Sequence, residues 1–331
     1  GRVRGGAGQA LDRLLSWIAA RVIARPRQIF AGSVVVFAGL SLGILLLVSL
    51  ALVIPTAAQT PTVIDDDGIT GWYTSMTQGS SGNPVIAYYS NETNDLRIAF
   101  CDDAECSSVT LQTVDSSAAD VGRVPSIGWY TTVGPAFHVV MAYRDHTNGD
   151  LKLAVCNSDT DCSSPTIIVA DGANGRDVGW HTNLTIENDI AHIVYRDDTN
   201  GGSNATLNYV ACNIADVLAS APSPCGSSQT LDTITRAGGF PSVAVSPATG
   251  APAVSYLDGD TFDLKYLQCG NTDCSSGNTI NTVSNATTTG YFPHLLYNAS
   301  NQPVIPYYQI RPNGGLYLAE CSSTDCSGTP T

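Results

Sequence analysis

The sequence predicts an all-β fold, a five-bladed β-propeller whose N-terminal strand closes the last blade, preceded by a single transmembrane α-helix. Three observations predict it. Ten cysteines fall into five sequential pairs: Cys101 with Cys106, Cys156 with Cys162, Cys212 with Cys225, Cys269 with Cys274 and Cys321 with Cys326. None is left over. The pairs recur every fifty residues or so, a period that marks a repeat architecture. Residues 29–54 carry no charge and are rich in Leu, Val, Ile and Ala.

Residues 1–28 form a cytoplasmic basic segment. Residues 1–59 hold six arginines against one acid, Asp12, whereas the rest of the chain holds 9 basic and 28 acidic groups. Leu11, Leu14, Leu15, Ile18 and Val22 share one helical stripe with Arg13 and Arg21 off it, the pattern of a helix lying on a lipid surface. Pro26 separates it from residues 29–54, which exceed the ~20 residues that cross a hydrocarbon core. Arginine on the N-terminal side alone puts that side in the cytoplasm and the remainder outside. The apolar run is longer than the ~7–15 residues of a signal-peptide core, so a retained signal-anchor is expected. Residues 55–61 are a linker, and at ~3.3–3.6 Å per residue it reaches at most about 25 Å beyond the membrane.

Residues 62–331 contain the repeats. Each opens on an inner strand that starts with Gly or Pro and, in four of the five, an aromatic: Gly71-Trp72-Tyr73-Thr74, Val124-Pro125-Ser126-Ile127, Gly179-Trp180-His181-Thr182, Gly239-Phe240-Pro241-Ser242 and Gly290-Tyr291-Phe292-Pro293. A second strand, a polar turn and a third strand ending in cysteine follow, as in HVVMAYRDHTNGDLKLAVC. Outer strands read VTLQTVD, PTIIVAD, QTLDTIT and NTINTVS, and the last repeat has none. The missing copy is expected at residues 62–65, which would complete the last sheet and leave no open edge.

Gly149-Asp150-Leu151-Lys152-Leu153-Ala154-Val155-Cys156 is the cleanest instance of a pattern Gly-x-Pro-x-x-Ser-Tyr, polar turn, Asp-Leu-Lys-x-Ala-x-Cys. On this pattern, residues 62–331 resemble bacterial secreted repeat proteins. The resemblance implies a β-propeller and no particular activity.

The cysteine pairs read as five local disulfides, since zinc needs four converging ligands and no histidine tracks the pairs. Each would tie the end of a third strand (Cys101, Cys156, Cys212, Cys269, Cys321) to the turn after it (Cys106, Cys162, Cys225, Cys274, Cys326). Paired cysteines place the repeats in an oxidising compartment, periplasmic or extracellular. Inner-strand residues Ser75, Ser126, Asn183, Ser242 and His294 occupy equivalent positions and are expected to line the central channel. His181 is the other inner-strand histidine.

Catalytic motifs are absent: there is no GxSxG elbow, HExxH, phosphate loop or dinucleotide fingerprint. The inner strands carry no acid at 71–76, 124–130, 178–185, 239–245 or 290–297, so they do not offer the carboxylate pair of a glycosidase. Sixteen acids fall in turns on one face of the blades, with five arginines among them. Asp145, Asp150, Asp197, Asp198, Asp258 and Asp260 are candidate calcium ligands there. No other cofactor is implied, and so negative a field excludes nucleic acid as a partner.

Together these features predict a membrane-anchored extracytoplasmic propeller that is not an enzyme. It would be a non-catalytic binding or scaffolding subunit of a membrane assembly. Its partners would be an integral membrane complex, met through the spanning helix and the cysteine-side face, and membrane lipid. The alternatives are a surface glycan-binding lectin and a divergent five-bladed glycosidase.

Overall fold

The computed structural model describes residues 61–132, 136–172, 175–234, 236–286 and 288–328. The basic segment expected at 1–28, the spanning helix at 29–54 and nearly all of the 55–61 linker lie outside the described residues. Among the described residues no helix is long and apolar enough to cross a membrane.

From Trp72 onward the chain forms five antiparallel sheets in sequence order. Blade one is β1 (Trp72–Gln78), β2 (Pro84–Ser90), β3 (Asp95–Cys101) and β4 (Val109–Asp115). Blade two is β5 (Val121–Thr131), β6 (Phe137–Asp145), β7 (Asp150–Val155) and β8 (Thr166–Asp171). Blade three is β9 (Trp180–Glu187), β10 (Ile190–Asp197), β11 (Thr206–Asn213) and β12 (Gln229–Asp232), with a one-turn helix α1 (Ile214–Leu218) inside its long cysteine loop. Blade four is β13 (Gly239–Val245), β14 (Pro252–Leu257), β15 (Leu264–Gln268) and β16 (Thr279–Ser284). Blade five has three strands, β17 (Leu296–Tyr297), β18 (Pro303–Gln309) and β19 (Gly315–Glu320). Inner strands β1, β5, β9 and β13 touch in succession, the arrangement of a propeller.

The second and third strands of the first four blades are buried on both faces, which is why they read as near-continuous apolar runs. Their side chains form four apolar clusters, one between each successive pair of sheets.

All five disulfides form as the spacing predicts, each inside its own repeat. Cys101 bonds Cys106, Cys156 bonds Cys162, Cys212 bonds Cys225, Cys269 bonds Cys274 and Cys321 bonds Cys326. Cys106, Cys274 and Cys326 sit in the left-handed region, with φ of 53°, 55° and 53°. Those three bridges therefore hold a turn that L-residues seldom adopt unaided. Cys162 is fully buried, and its N–H donates to the Gln112 side chain at 2.6 Å, tying the blade-two turn to β4 of blade one. Cys225 closes the longest loop, where it pairs with Cys212 as an isolated antiparallel bridge beyond α1.

Three devices recur where blades meet. The first is a glycine against a leucine. At Gly122, with φ of 100°, an added Cβ would fall 2.5 Å from the Leu96 backbone. Gly179, Gly238 and Gly290 lie in the same way against Leu151, Leu207 and Leu264. The second is an inner-strand side chain accepting a backbone N–H from the next blade: Ile127 to Ser75 at 3.2 Å, Leu184 to Ser126 at 2.9 Å, Val243 to Asn183 at 2.8 Å and Leu295 to Ser242 at 3.0 Å. The third is a tyrosine on a second strand donating to the residue that ends the previous outer strand. Tyr143 bonds Asp115 at 2.7 Å, Tyr195 bonds Asp171, Tyr256 bonds Asp232 at 2.6 Å, and Tyr307 meets Ser284 at 3.4 Å.

The junction between blades five and one differs. Val63–Asp67 form no strand, so the fourth strand expected for blade five is not paired with β19. Gly71 has no atom within 4 Å of an added Cβ, and Leu316, the counterpart of the four buried leucines, is 83% exposed. Asp65 nonetheless takes the position of the outer-strand acids, accepting from Tyr88 at 2.5 Å and from Arg97 at 2.7 Å. That grip fixes the end of the segment on blade one and leaves Val63 at the surface.

Candidate active site

At or near the start of each inner strand stands a non-glycine residue in the left-handed region: Tyr73, Val124, His181, Phe240 and Phe292, with φ of 53°, 52°, 52°, 50° and 50°. In β1, β5, β9 and β13 the register shifts at the same place. Such a conformation is disfavoured for aromatic and especially β-branched side chains, and repeated strain of this kind concentrates at functional sites. Here it turns side chains out of the sheets to meet one another. The His181 and Phe240 rings lie 4.4 Å apart edge to face, and Phe240 and Phe292 lie 4.2 Å apart. Tyr291 joins at 6.2 Å from Phe240, with Phe262 stacked on it at 6.4 Å. Phe292 is 62% exposed, so the cluster is an open aromatic mouth and not a core.

Acids and arginines rim this mouth. Asp177 stands three residues before Trp180, whose Nε1–H donates to it at 3.0 Å. Arg144 pairs with Asp177, donates to the Val178 carbonyl and lies 4.2 Å over the Trp180 ring. Asp198 follows β10, and its N–H donates to the Asp177 carbonyl at 2.8 Å, which places two carboxylates on adjacent loops. Arg196 holds Asp198 at 2.6 Å and donates to the Gly202 carbonyl at 3.0 Å. The Asp177 side chain is 43% exposed, open to a ligand despite its ion pair.

Burial, reinforced by the Arg196 charge, lowers His181 to about 4, so its ring is neutral at neutral pH. Burial and the charges of Arg123 and Arg144 lower His146 too. Neither histidine is a proton donor near pH 7.

Of the residues expected to line the channel, Ser75, Ser126, Asn183 and Ser242 are brought into one series, each bound to the next blade's backbone. His294 is exposed, and its N–H donates to the Pro306 carbonyl at 3.1 Å. The six candidate calcium ligands are not assembled: among the described residues no three acidic, histidine or cysteine side chains converge for a metal. Asp145 pairs with Lys152 at 3.0 Å, Asp197 with Arg176 at 2.6 Å and Asp198 with Arg196, while Asp258 faces Lys265 at 3.7 Å. Asp150 and Asp260 are also partnered. The mouth itself was missed in the sequence. Its signal was the aromatic that opens four of the five inner strands.

No protein-family model and no curated protein matches the chain. Solved structures share its fold, two Fusarium enzymes among them. The α-L-arabinofuranosidase Arb93A from Fusarium graminearum, in complex with an iminosugar inhibitor, matches at TM-score 0.52 and 10% identity over 77% of this chain and 78% of that one. The family-93 α-L-arabinofuranosidase of Fusarium graminearum with arabinobiose matches at 0.51 and 12%, over 80% and 84%. These likenesses correct two expectations, that the chain is a non-catalytic accessory subunit and that it is not an enzyme. Both had rested on the lack of acids where the inner strands begin. Acids do stand in the neighbouring loops, Asp177 before β9 and Asp198 after β10. At such identity the likeness establishes fold and transfers no activity.

Proposed function

We propose that this propeller is a glycoside hydrolase that holds a sugar on the aromatic mouth and cleaves its glycosidic bond with Asp177 and Asp198. The observation that carries the reading is the backbone hydrogen bond that brings the loops of Asp177 and Asp198 together, with Asp177 beside the Trp180 ring. Sugar rings pack their apolar faces on aromatic side chains, and hydrolysis takes two carboxyl groups, one to protonate the leaving oxygen and one to attack or to activate water. Each carboxylate has an arginine partner, Arg144 for Asp177 and Arg196 for Asp198, so both variants are needed to tell the acid from the anion. Arabinofuranosides are the first substrates to assay, by likeness to the two Fusarium enzymes.

Release of 4-nitrophenol from its α-L-arabinofuranoside, and of arabinose from arabino-oligosaccharides, tests this. Asp177→Asn and Asp198→Asn should each lower kcat at least ~10³-fold in protein that is still folded at the assay temperature, an effect of the size expected for a lost catalytic group. Full activity in both variants, or no turnover of any aryl glycoside in a broad panel, would defeat the proposal.

The same reading sets the propeller outside the cell behind the helix at residues 29–54, supported by the five disulfides and the N-terminal arginines. It also takes the segment ending at Asp65 as the piece that closes the ring, held by its side chain and not by strand pairing with β19. The support is that Asp65 fills the slot that Asp115, Asp171 and Asp232 fill elsewhere.

A further inference from the structure

An open cleft of about 450 Å³ lies between the β10–β11 turn of blade three and the loops of blade four, lined by Arg196, Arg236, Leu257, Phe262 and two glycines, Gly202 and Gly259. It belongs to the face that carries most of the acids, yet no carboxylate lines it. Arg196 commits one edge of its guanidinium to Asp198 and Gly202. Arg236 is exposed and has no ion pair among the described residues.

Both glycines make room for the arginines. A Cβ on Gly202 would stand 3.0 Å from Nη2 of Arg196. The Gly259 N–H donates to the Arg236 carbonyl at 3.1 Å, and a Cβ there would fall 2.7 Å from that oxygen. Arg236 itself sits at φ of 65°, presented by the loop that Gly259 admits. The cleft also joins the mouth. Phe262 stacks on Tyr291 of the aromatic cluster, and the Arg196 charge is felt at His181.

We propose that this cleft is an anion subsite that receives the carboxylate of a uronic acid unit in the glycan bound at the mouth. The inference rests on the glycoside hydrolase reading and names its substrate class as acidic glycans. Arginine's planar fork matches a carboxylate with two parallel hydrogen bonds, and a second guanidinium within one cleft gives a lone anion two donors. A neutral sugar offers Arg236 no charge to pair with, whereas the Phe262 face serves the ring of either kind of sugar.

Calorimetric titration of the full chain with an oligogalacturonide and with its methyl ester decides the matter. The acid form should bind at least ~10-fold tighter than the ester, a preference that weakens with added salt. Arg236→Gln should bring the acid form down to the ester's affinity and leave the ester unchanged, and Arg236→Lys should restore part of the preference. Equal affinity for acid and ester in the parent protein would overturn the subsite while the glycosidase reading stood. Binding of neither form, together with no turnover of any glycoside, would overturn both.

Discussion

Tyr143→Phe removes one hydroxyl from the junction between blades one and two, and its cost follows from what that hydroxyl touches. Tyr143 donates at 2.7 Å to the Asp115 carboxylate, which also takes Lys152 at 3.2 Å and the Ser117 N–H at 2.9 Å. Burial alone would raise Asp115. The Ser117 and Tyr143 hydrogen bonds and the Lys152 charge outweigh it, and the carboxyl lies below its usual value. A hydrogen bond to a charged group contributes about 1.5–3 kcal/mol, against about 0.5–1.5 kcal/mol for a neutral one. At about 2–4 °C per kcal/mol, Tyr143→Phe should lower Tm by about 3–12 °C.

Tyr307→Phe is the internal control. Its hydroxyl meets Ser284, a neutral partner, at 3.4 Å, so the loss should stay below ~1 kcal/mol. Asp115→Ala should cost more than either, about 3–5 kcal/mol, because it strips partners from Tyr143 and from Lys152 together. Because Asp115 is depressed in the fold, its contribution is present above the ordinary aspartate range and is lost as pH falls through its lowered value. Near-UV circular dichroism melts at pH 7, without reductant, read all three variants. Equal shifts for Tyr143→Phe and Tyr307→Phe would refute the claim that the carboxylate makes the clasp strong.

Two further outcomes follow from other parts of the structure. Burial lowers His192 to about 4, and His181 is lowered to a similar value. The unfolded chain therefore takes up protons below ~6.5 that the folded one refuses, so stability should fall as pH drops from about 6.5 to about 4, by up to about 3 kcal/mol per histidine. Denaturant midpoints across that range check this, and His192→Gln should flatten the slope. At the blade junctions, Gly122→Ala should cost about 3 kcal/mol or more, combining left-handed strain with a clash against the Leu96 backbone. Gly71→Ala, with φ of 82° and open space, should cost only about 1 kcal/mol.

The repeat was legible because each blade is one period of chain, so turn and cysteine signals recur in phase and mark the strands without knowledge of contacts. The disulfides were legible for the same reason, since Cys101 and Cys106 are five residues apart and can meet only across one turn. The clasps that join blades were hidden for a different reason. Tyr143 and Asp115 are 28 residues apart, and nothing local to either residue announces the other. They emerge only when repeats are superimposed, as tyrosine and acid separated by a near-constant interval: 23 residues for Tyr88 and Asp65, 24 for Tyr195 and Asp171 and 24 for Tyr256 and Asp232. The mouth was harder still. Tyr73, Val124, His181, Phe240 and Phe292 read as ordinary strand residues, and strand propensity argues against the left-handed backbone they adopt. Tertiary pairing of each inner strand with its neighbours imposes that conformation, and with it the direction of the rings.

The acids at the rim show how a correct absence led to a wrong expectation. The segments that begin the inner strands hold no carboxylate. Asp177 and Asp198 stand in loops, and what brings those loops together is the Asp198 N–H to Asp177 carbonyl bond between two segments about twenty residues apart. The rim they form spans blades two and three, with Arg144 from one and Arg196 from the other, and the aromatic rings extend it to blades four and five. Those blades are joined by all three repeated devices. Between blades five and one none of the three devices joins sheet to sheet, since Asp65 grips blade one alone, so this side of the fold has the fewest contacts to lose and should open before the others. The candidate site therefore sits on the well-joined arc of the ring, away from its weakest seam. The Gly71 and Gly122 variants read that difference directly, since only a packed junction can penalise an added methyl group.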